Sequence, residues 1–299
     1  MKRFFILASA AIVALASCAK TEVVYKDAPE QIAFKKVSNV MTKATMQGYS
    51  LGVLANINGT GGEYFPNTQF NWDSQKQWYE SSKTWPLSGK LDFTVYFPYV
   101  YGAEYDAETN ILTVPVYPSL IELDQYYYGS QRYIGLDRGD NEKNVSLNHM
   151  CAKITLKFAN TSDYEFVSAT LNDVYTQGDV NVNYGESPIV VTADVDPQHK
   201  CNLPIENLEE EHGYVLPGEQ TSITVTFNQV VNQNTKLEVT RTVNLSDNQN
   251  PVYWEAHKHY TYALSVAANT DRIVFTATSN DWVSAGDDIP EELPVAELQ

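Results

Sequence analysis

The class of the fold is indicated most clearly by residues 152–158, Ala152-Lys153-Ile154-Thr155-Leu156-Lys157-Phe158. Apolar residues occupy every second position, and the positions between them are polar. Successive side chains of an extended chain point to opposite faces, so this alternation places all the apolar side chains on one face of a strand. The stretch therefore predicts a β-strand that packs one face against a hydrophobic core.

The same alternation recurs along most of the chain. It is found in residues 91–97, 222–227, 237–243, 260–266 and 272–277. Turn-forming pairs such as Asn58-Gly59 and Pro217-Gly218 separate such stretches, and no long segment shows the periodicity of a helix. Many short strands at nearly regular spacing are typical of β-sandwiches, and we therefore predict an all-β protein.

The chain length is compatible with one or two domains, and the size and pattern of the sequence favour a division into two. The polar segment at residues 137–146 is rich in Gly, Asp and Asn and is the expected linker. The expected parts are a signal peptide at 1–17, an N-terminal segment with the first strand at 18–43, an N-terminal β-sandwich at 44–146, a C-terminal β-sandwich at 147–282 and an acidic tail at 283–299.

The chain is strongly acidic and rich in aromatic residues. Its 299 residues include 20 Lys and Arg against 37 Asp and Glu, a net charge of −17. This charge disfavours nucleic acids and anionic membrane surfaces as partners. Hydrophobic residues make up 43% of the chain, which argues against intrinsic disorder, and the 20 Tyr and 5 Trp favour sheets.

The N-terminus has the features of a bacterial export signal. Lys2 and Arg3 precede an apolar stretch from Phe4 to Ala16 that is too short to span a bilayer as a helix. The ending Leu15-Ala16-Ser17-Cys18 resembles the lipobox of bacterial lipoproteins. The resemblance implies that Cys18 is acylated, with palmitate for example, and becomes the first residue of a lipid-anchored protein. An ordinary signal peptide with a chance cysteine is the alternative.

The sequence contains no motif typical of an enzyme. It has no G-x-S-x-G elbow, no phosphate-binding loop and no His-Glu-x-x-His pair. His257 and His259 are close enough in sequence to share a metal on one strand face, but a surface pair at a hairpin end is favoured. The acidic run at 209–211 is similarly interpreted as a solvated loop. We therefore predict no catalytic residue, no metal site and no cofactor.

Two further features leave alternatives open. Arg138-Gly139-Asp140 is an integrin-type tripeptide, but a turn that has this sequence by chance is favoured over an adhesion site.

Cys151 and Cys201 lie in a protein whose compartment permits disulfides, and a disulfide and two free thiols are equally compatible with the sequence.

Aromatic residues crowd the stretch from 70 to 99. They could form a platform on which carbohydrate rings stack, but core packing is favoured because aromatic side chains bury large areas. The residues are Phe70, Trp72, Trp78, Tyr79, Trp85, Phe93, Tyr96, Phe97 and Tyr99.

The order and spacing of several motifs resemble the Bacteroidetes-type fimbrillin family from about residue 30 to the end of the chain. The matching positions are Trp78, Trp85-Pro86-Leu87, Gly89, residues 91–99, residues 147–154, Tyr214-Val215-Leu216-Pro217, Trp254, Tyr260-Thr261-Tyr262 and Trp282. Three places depart from the family pattern: Asn148, His257 and residues 124–129. These departures weaken the assignment of the chain to a subtype, but not its assignment to the family.

The resemblance implies two tandem transthyretin-like Greek-key β-sandwiches. It also implies export to the outer membrane as a lipoprotein and assembly into a fimbria on the cell surface. In such subunits a protease cuts after a basic residue and removes the first strand, and a strand from another subunit fills the groove. Here residues 31–34 correspond to the first strand, and Lys43 corresponds to the cleavage site. A surface turn is the alternative for the segment around Lys43.

The C-terminal tail is the candidate donor strand. Leu293, Val295 and Leu298 project from polar surroundings and would fill the groove of a neighbour. Pro294 opposes this role because it cannot donate a ladder hydrogen bond, and a frayed acidic tail is the alternative.

We therefore predict a structural subunit of a cell-surface fimbria and not an enzyme. Its expected partners are other fimbrial subunits, bound by strand exchange, and the outer membrane, bound through the lipid anchor. The alternative is a fimbrial tip adhesin or a glycan-binding surface lipoprotein, whose ligand would be a host or bacterial surface glycan or protein.

Overall fold

A computed structural model describes residues 30–34, 36–38, 49–116, 128–139, 144–208, 212–246, 252–267 and 272–282. These residues form 23 β-strands and one 3-10 helix, Pro197–His199. The predicted all-β class is therefore confirmed.

The strands of the first half lie between residues 31 and 149. They are β1 Gln31–Phe34, β2 Lys36–Ser38, β3 Leu51–Ile57, β4 Glu63–Asp73, β5 Trp78–Thr84, β6 Leu91–Phe97, β7 Glu104–Asp106, β8 Ile111–Val116, β9 Gly129–Leu136, β10 Asn144–Ser146 and β11 Asn148–His149.

The strands of the second half follow between residues 152 and 281. They are β12 Ala152–Phe158, β13 Tyr164–Tyr175, β14 Gly178–Asn183, β15 Val190–Asp194, β16 Lys200–Ile205, β17 Gly213–Val215, β18 Gly218–Glu219, β19 Ser222–Asn232, β20 Thr235–Asn244, β21 Tyr253–Trp254, β22 Lys258–Val266 and β23 Ile273–Asp281.

A sheet of seven strands dominates the first half, in the order β1-β5-β4-β3-β6-β9-β11. The long strand β4 pairs with β3 through its first part and with β5 through its last residues, so it connects the two ends of the sheet. Side chains from β1, β3, β4, β5, β6 and β9 share one core, which we call the N-terminal core.

Strand β6 is buried at every position. Phe93 and Val95 face the N-terminal core, whereas Tyr96 belongs to a second cluster beneath another sheet, β15-β14-β8-β7. The alternation in residues 91–97 predicts one solvent-exposed face, and this prediction is wrong because the second sheet covers that face. Asp92 and Thr94, its polar residues, are only 8% and 1% exposed.

The covering sheet joins the two halves of the chain. β14 from the second half pairs antiparallel with β8 from the first, from Gly178 opposite Val116 to Asn183 opposite Ile111. Leu112 and Val180 are fully buried in the cluster between this sheet and β6, which we call the junction core. The boundary at residue 147 stays a prediction, and β11 lies beyond it while pairing with β9.

Two sheets of four strands enclose the core of the second half. They have the orders β17-β12-β22-β23 and β16-β13-β19-β20. The strand predicted at residues 152–158 is observed with those bounds. Ala152, Ile154 and Leu156 are fully buried and Lys157 is exposed, as the alternation predicts. We call this cluster the C-terminal core. The transthyretin-like Greek-key topology stays a prediction.

Candidate functional site

Strand β1 lies at the edge of the seven-stranded sheet. It pairs antiparallel with β5, with Ala33 opposite Glu80 and Phe34 opposite Tyr79. Although the strand has only 4 residues, Ile32 and Phe34 are 1% and 2% exposed and belong to the N-terminal core. The first strand predicted at residues 31–34 is therefore observed, and it carries core side chains at a sheet edge.

The side chain of Phe34 inserts among aromatic rings. Its ring centroid lies 5.6 Å from that of Phe70 and 5.7 Å from that of Phe93, which it meets edge-on. Phe93 in turn packs against Trp85 at 5.4 Å. Such edge-to-face contacts are favourable and bury large areas, so loss of β1 would open an apolar groove in the N-terminal core.

A second short strand follows β1 and also has a partner. β2 pairs in parallel with β10, from Lys36 opposite Asn144 to Ser38 opposite Ser146. Neither strand was predicted from the sequence, because three residues are too few to show an alternation. β10 lies within the predicted linker, where Val145 is fully buried in the N-terminal core. The N-terminal segment is thus held by β5 and by β10.

The site residues predicted from the sequence lie outside the described residues. They are Cys18, Lys43, Leu293, Val295 and Leu298. In the chain, Lys43 falls between the end of β2 and the start of β3. A cut after Lys43 would therefore separate β1 and β2 from the remainder without dividing any described strand.

Most aromatic residues of the stretch 70–99 are core residues, as favoured above. Phe70, Tyr79, Trp85, Phe93, Tyr96 and Phe97 are each at most 4% exposed. Trp72, Trp78 and Tyr99 are half-buried. The broad aromatic platform is therefore absent from this stretch.

His257 and His259 do not act as a pair. His257 has a positive φ of 65°, in the turn before β22. His259 Nε2 lies 2.8 Å from Thr155 Oγ1, and His212 Nδ1 lies 3.1 Å from the same oxygen. Burial, with a smaller effect of the Lys153 charge, lowers the pKa of His212 to about 4, so this imidazole is neutral at pH 7. The His212 contact could not be predicted from sequence spacing.

The described residues contain no group of three or more His, Cys, Asp and Glu side chains arranged to hold a metal ion. Cys151 and Cys201 are free thiols, and burial raises the pKa of Cys151 to about 12. Arg138 of the integrin-type tripeptide donates from Nε to Glu30 Oε2 at 3.2 Å. Asp140 and the acidic run at 209–211 lie outside the described residues.

None of the helices in the described part of the chain has the length and hydrophobicity needed to cross a membrane.

Comparison with solved structures supports the architecture. The fold is similar to a candidate cell adhesion protein of Bacteroides uniformis, with a TM-score of 0.54, 16% identity and coverage of 85% of this chain and 99% of that chain. It is also similar to a fimbrial protein of Bacteroides vulgatus, with a TM-score of 0.52, 14% identity and coverage of 84% and 99%. At these identities the likeness shows the fold alone.

Comparison with sequence families identifies the chain more directly. No protein with a curated description matches the sequence. Residues 27–282, however, match the family model described as fimbrillin-like, and this range contains every described strand. The resemblance noted in the sequence is therefore confirmed, and the chain belongs to the fimbrillin-like family.

Proposed function

We propose that this chain is a fimbrial subunit that polymerises by strand exchange after proteolytic removal of its first strand. Membership of the fimbrillin-like family supports a fimbrial, non-enzymatic protein of the cell surface whose partners are other fimbrial subunits. Acylation at Cys18 would bring the precursor to the outer membrane as a lipoprotein, and cleavage after Lys43 would activate it.

The observation that carries the proposal is the position of β1. An edge strand offers its neighbour only one hydrogen-bonded ladder, so it can leave without dividing the sheet. Its departure would expose the apolar surface that Ile32 and Phe34 now cover, which is unfavourable in water. An incoming extended segment would restore both the ladder with β5 and the buried apolar contacts, as in other cases of β-augmentation.

We propose that a replacement strand keeps the direction of β1 and β2. A donor that takes their place would run antiparallel to β5 and parallel to β10. We propose that the C-terminal tail of a neighbouring subunit supplies it, with Leu293, Val295 and Leu298 in the groove. A tail-to-groove contact between successive copies does not close on itself, so it generates a fibre rather than a dimer.

Limited trypsin treatment of the purified mature chain tests this proposal. The wild-type chain should form denaturant-resistant ladders on a gel once it is cut after Lys43. The Lys43→Gln variant and a chain ending at Asp288 should stay monomeric, and Lys90→Gln, which removes a distant lysine, should behave like the wild type. Mass spectrometry of the products identifies the site of cleavage.

The donor segment, the cleavage site and strand exchange itself can each be refuted separately. Equal polymerisation of the chain ending at Asp288 would exclude the tail as donor. Equal polymerisation of Lys43→Gln would exclude Lys43 as the activating site. Monomers from the wild type after confirmed cleavage at Lys43 would refute strand exchange.

A further inference from the structure

The segment that contains β1 and β2, residues 30–38, has a distinctive order of apolar positions. Ile32 and Phe34 place their side chains in the N-terminal core. Three residues further along the chain, Val37 on β2 lies opposite Val145 of β10, which is fully buried in the same core. The apolar positions of the segment are therefore separated by a step of two residues and then a step of three.

The C-terminal tail repeats this order in residues 291–299. Its apolar residues Leu293, Val295 and Leu298 are also separated by a step of two residues and then a step of three. If residues 291–299 are placed on residues 30–38 in the same direction, the apolar positions of the two segments coincide. Leu293 then falls on Ile32, Val295 on Phe34 and Leu298 on Val37.

Neighbouring registers fit the N-terminal core less well. A shift of the tail by one residue places Glu292 at the position of Ile32, and the opposite shift places Leu293 at the exposed position of Gln31. Shifts by two residues place an acidic residue at the position of Ile32 or Phe34. Burial of an unpaired carboxylate is costly, so the register in which residue 291 falls on residue 30 is favoured.

A charged group marks the start of the same register. Arg138, which follows β9, donates from Nε to Glu30 Oε2 at 3.2 Å, and both side chains are half-buried. The Glu30 carbonyl also accepts from the backbone N–H of Trp85 at 2.8 Å. Departure of β1 would take the Glu30 carboxylate away from Arg138. Glu291 stands at the position of Glu30, so the incoming tail would return a carboxylate to this guanidinium.

Pro294 falls at a position of β1 that tolerates a proline. In the same register it takes the place of Ala33, the smallest side chain of the strand. The ladder between β1 and β5 is irregular between Gln31 and Ala33. Proline occurs in sheets on edge strands and at bulges, and β1 is an edge strand. The residue that opposes a donor role for the tail is therefore compatible with this register.

We propose that the donor is the tail of a second copy of this chain, bound with residues 291–299 in the register of residues 30–38 and with Glu291 paired to Arg138. This inference rests on the proposed strand exchange and specifies its partner and its register. A tail without a carboxylate two positions before its first apolar residue would lose the contact with Arg138. The pair would therefore favour copies of this chain over subunits with other tails.

The register is tested first in the uncleaved chain, where no exchange is needed. One graft replaces residues 30–38 by the sequence of residues 291–299. The control graft replaces them by the sequence of residues 290–298, which puts Glu292 at the position of Ile32. The first graft should melt at a clearly higher temperature than the control, because the control buries a carboxylate. Equal melting temperatures, or loss of cooperative unfolding in both grafts, would overturn the register.

Binding between two copies tests the partner. The acceptor is the chain that ends at Asp288, cut after Lys43 and separated from the released segment, so it offers a groove but no donor. The donor is the uncut Lys43→Gln chain, which has the tail and keeps its own β1. A complex of one donor and one acceptor should form on size-exclusion chromatography, and biolayer interferometry measures its affinity.

Reversal of the two charges tests the role of Arg138. Arg138→Glu in the acceptor and Glu291→Arg in the donor should each weaken the complex at least about fivefold, and the two together should restore most of the affinity. Glu297→Arg in the donor is the control, because it makes the same charge change away from Arg138. It should not restore binding to the Arg138→Glu acceptor. If Arg138→Glu unfolds the acceptor, Arg138→Gln and Glu291→Gln replace the reversals, and their losses should not add.

The outcomes separate this inference from strand exchange itself. An affinity that neither reversal changes, or that the double reversal does not restore, would overturn the pairing of Glu291 with Arg138 while strand exchange stands. Absence of any complex would overturn the second copy as the partner. A first graft that is more stable than its control, together with a cut wild-type chain that forms no ladders, would support the fit of the tail and refute strand exchange.

Discussion

Gly52 is a residue whose missing side chain decides how two neighbouring strands pack. A Cβ atom at Gly52 would lie 2.0 Å from Cζ and 2.1 Å from Cε1 of Tyr96, which pairs with it across β3 and β6. The Tyr96 ring is held in place, because its hydroxyl donates to Asn67 Oδ1 at 2.8 Å or to the Val100 carbonyl at 2.9 Å. The ring therefore cannot move aside without losing these buried contacts.

Gly52→Ala should accordingly destabilise the protein. Overpacking of a filled core typically costs about 1–3 kcal/mol, and here the clash is with a ring. Gly62→Ala is the control, since its added Cβ would meet nothing closer than 3.6 Å. The free energy of unfolding of both variants is measured by urea denaturation, with tryptophan fluorescence as the signal. A Gly52→Ala variant as stable as the wild type would show that the Tyr96 ring yields without loss.

This requirement for glycine could not be predicted from the sequence. Gly52 and Tyr96 are far apart in the chain and meet only because β3 and β6 pair. Neither the φ of Gly52 nor a local turn motif marks it. The hydrogen bonds of the Thr155 hydroxyl with His212 and His259 could not be predicted for the same reason, because the three residues come from different segments of the chain.

At the level of secondary structure, β1 combines a position at the edge of its sheet with side chains that are buried in the core. Phe34→Ala should lower the free energy of unfolding of the uncleaved chain by about 3–5 kcal/mol, as is typical of a buried Phe. Leu87→Ala, an apolar residue that is 81% exposed, is the control and should change little. Chemical denaturation of both variants measures the difference. Equal effects of the two would indicate that β1 is not packed in the core in solution.

The strands that the sequence predicted best are those with long alternations. β6 and β12 have the predicted bounds, and the alternations starting at 222 and 260 lie in β19 and β22. β2 and β10 were missed, because each has three residues and is defined only by its pairing with the other. The burial of both faces of β6 was also not predicted, because the covering sheet comes from distant segments and leaves no pattern in residues 91–97.

At the level of the whole molecule, the two halves of the chain are not structurally separate, because the sheet β15-β14-β8-β7 contains strands from both. Six residue pairs connect β8 to β14. The junction core beneath this sheet takes Leu54 from the first half and Leu216 from the second. His149 on β11 also stacks on Trp282, which follows β23, with ring centroids 3.4 Å apart. Separate halves would expose these surfaces to water, so folding of one half should depend on the other.

Leu156→Ala tests this dependence, because Leu156 belongs to the C-terminal core and not to the junction core. The substitution should cost about 2–5 kcal/mol. If the halves unfold together, it should reduce amide hydrogen-exchange protection of residues 91–97 in β6 as well as that of residues 258–266 in β22. Leu112→Ala, in the junction core, should have the same effect on both segments. Loss of protection confined to residues 258–266 in Leu156→Ala would show that the halves unfold independently. If the halves unfold together, a strand bound in the groove that β1 leaves in the N-terminal core would stabilise both halves of the subunit. The reason is that a ligand that binds only the folded state raises the stability of that state.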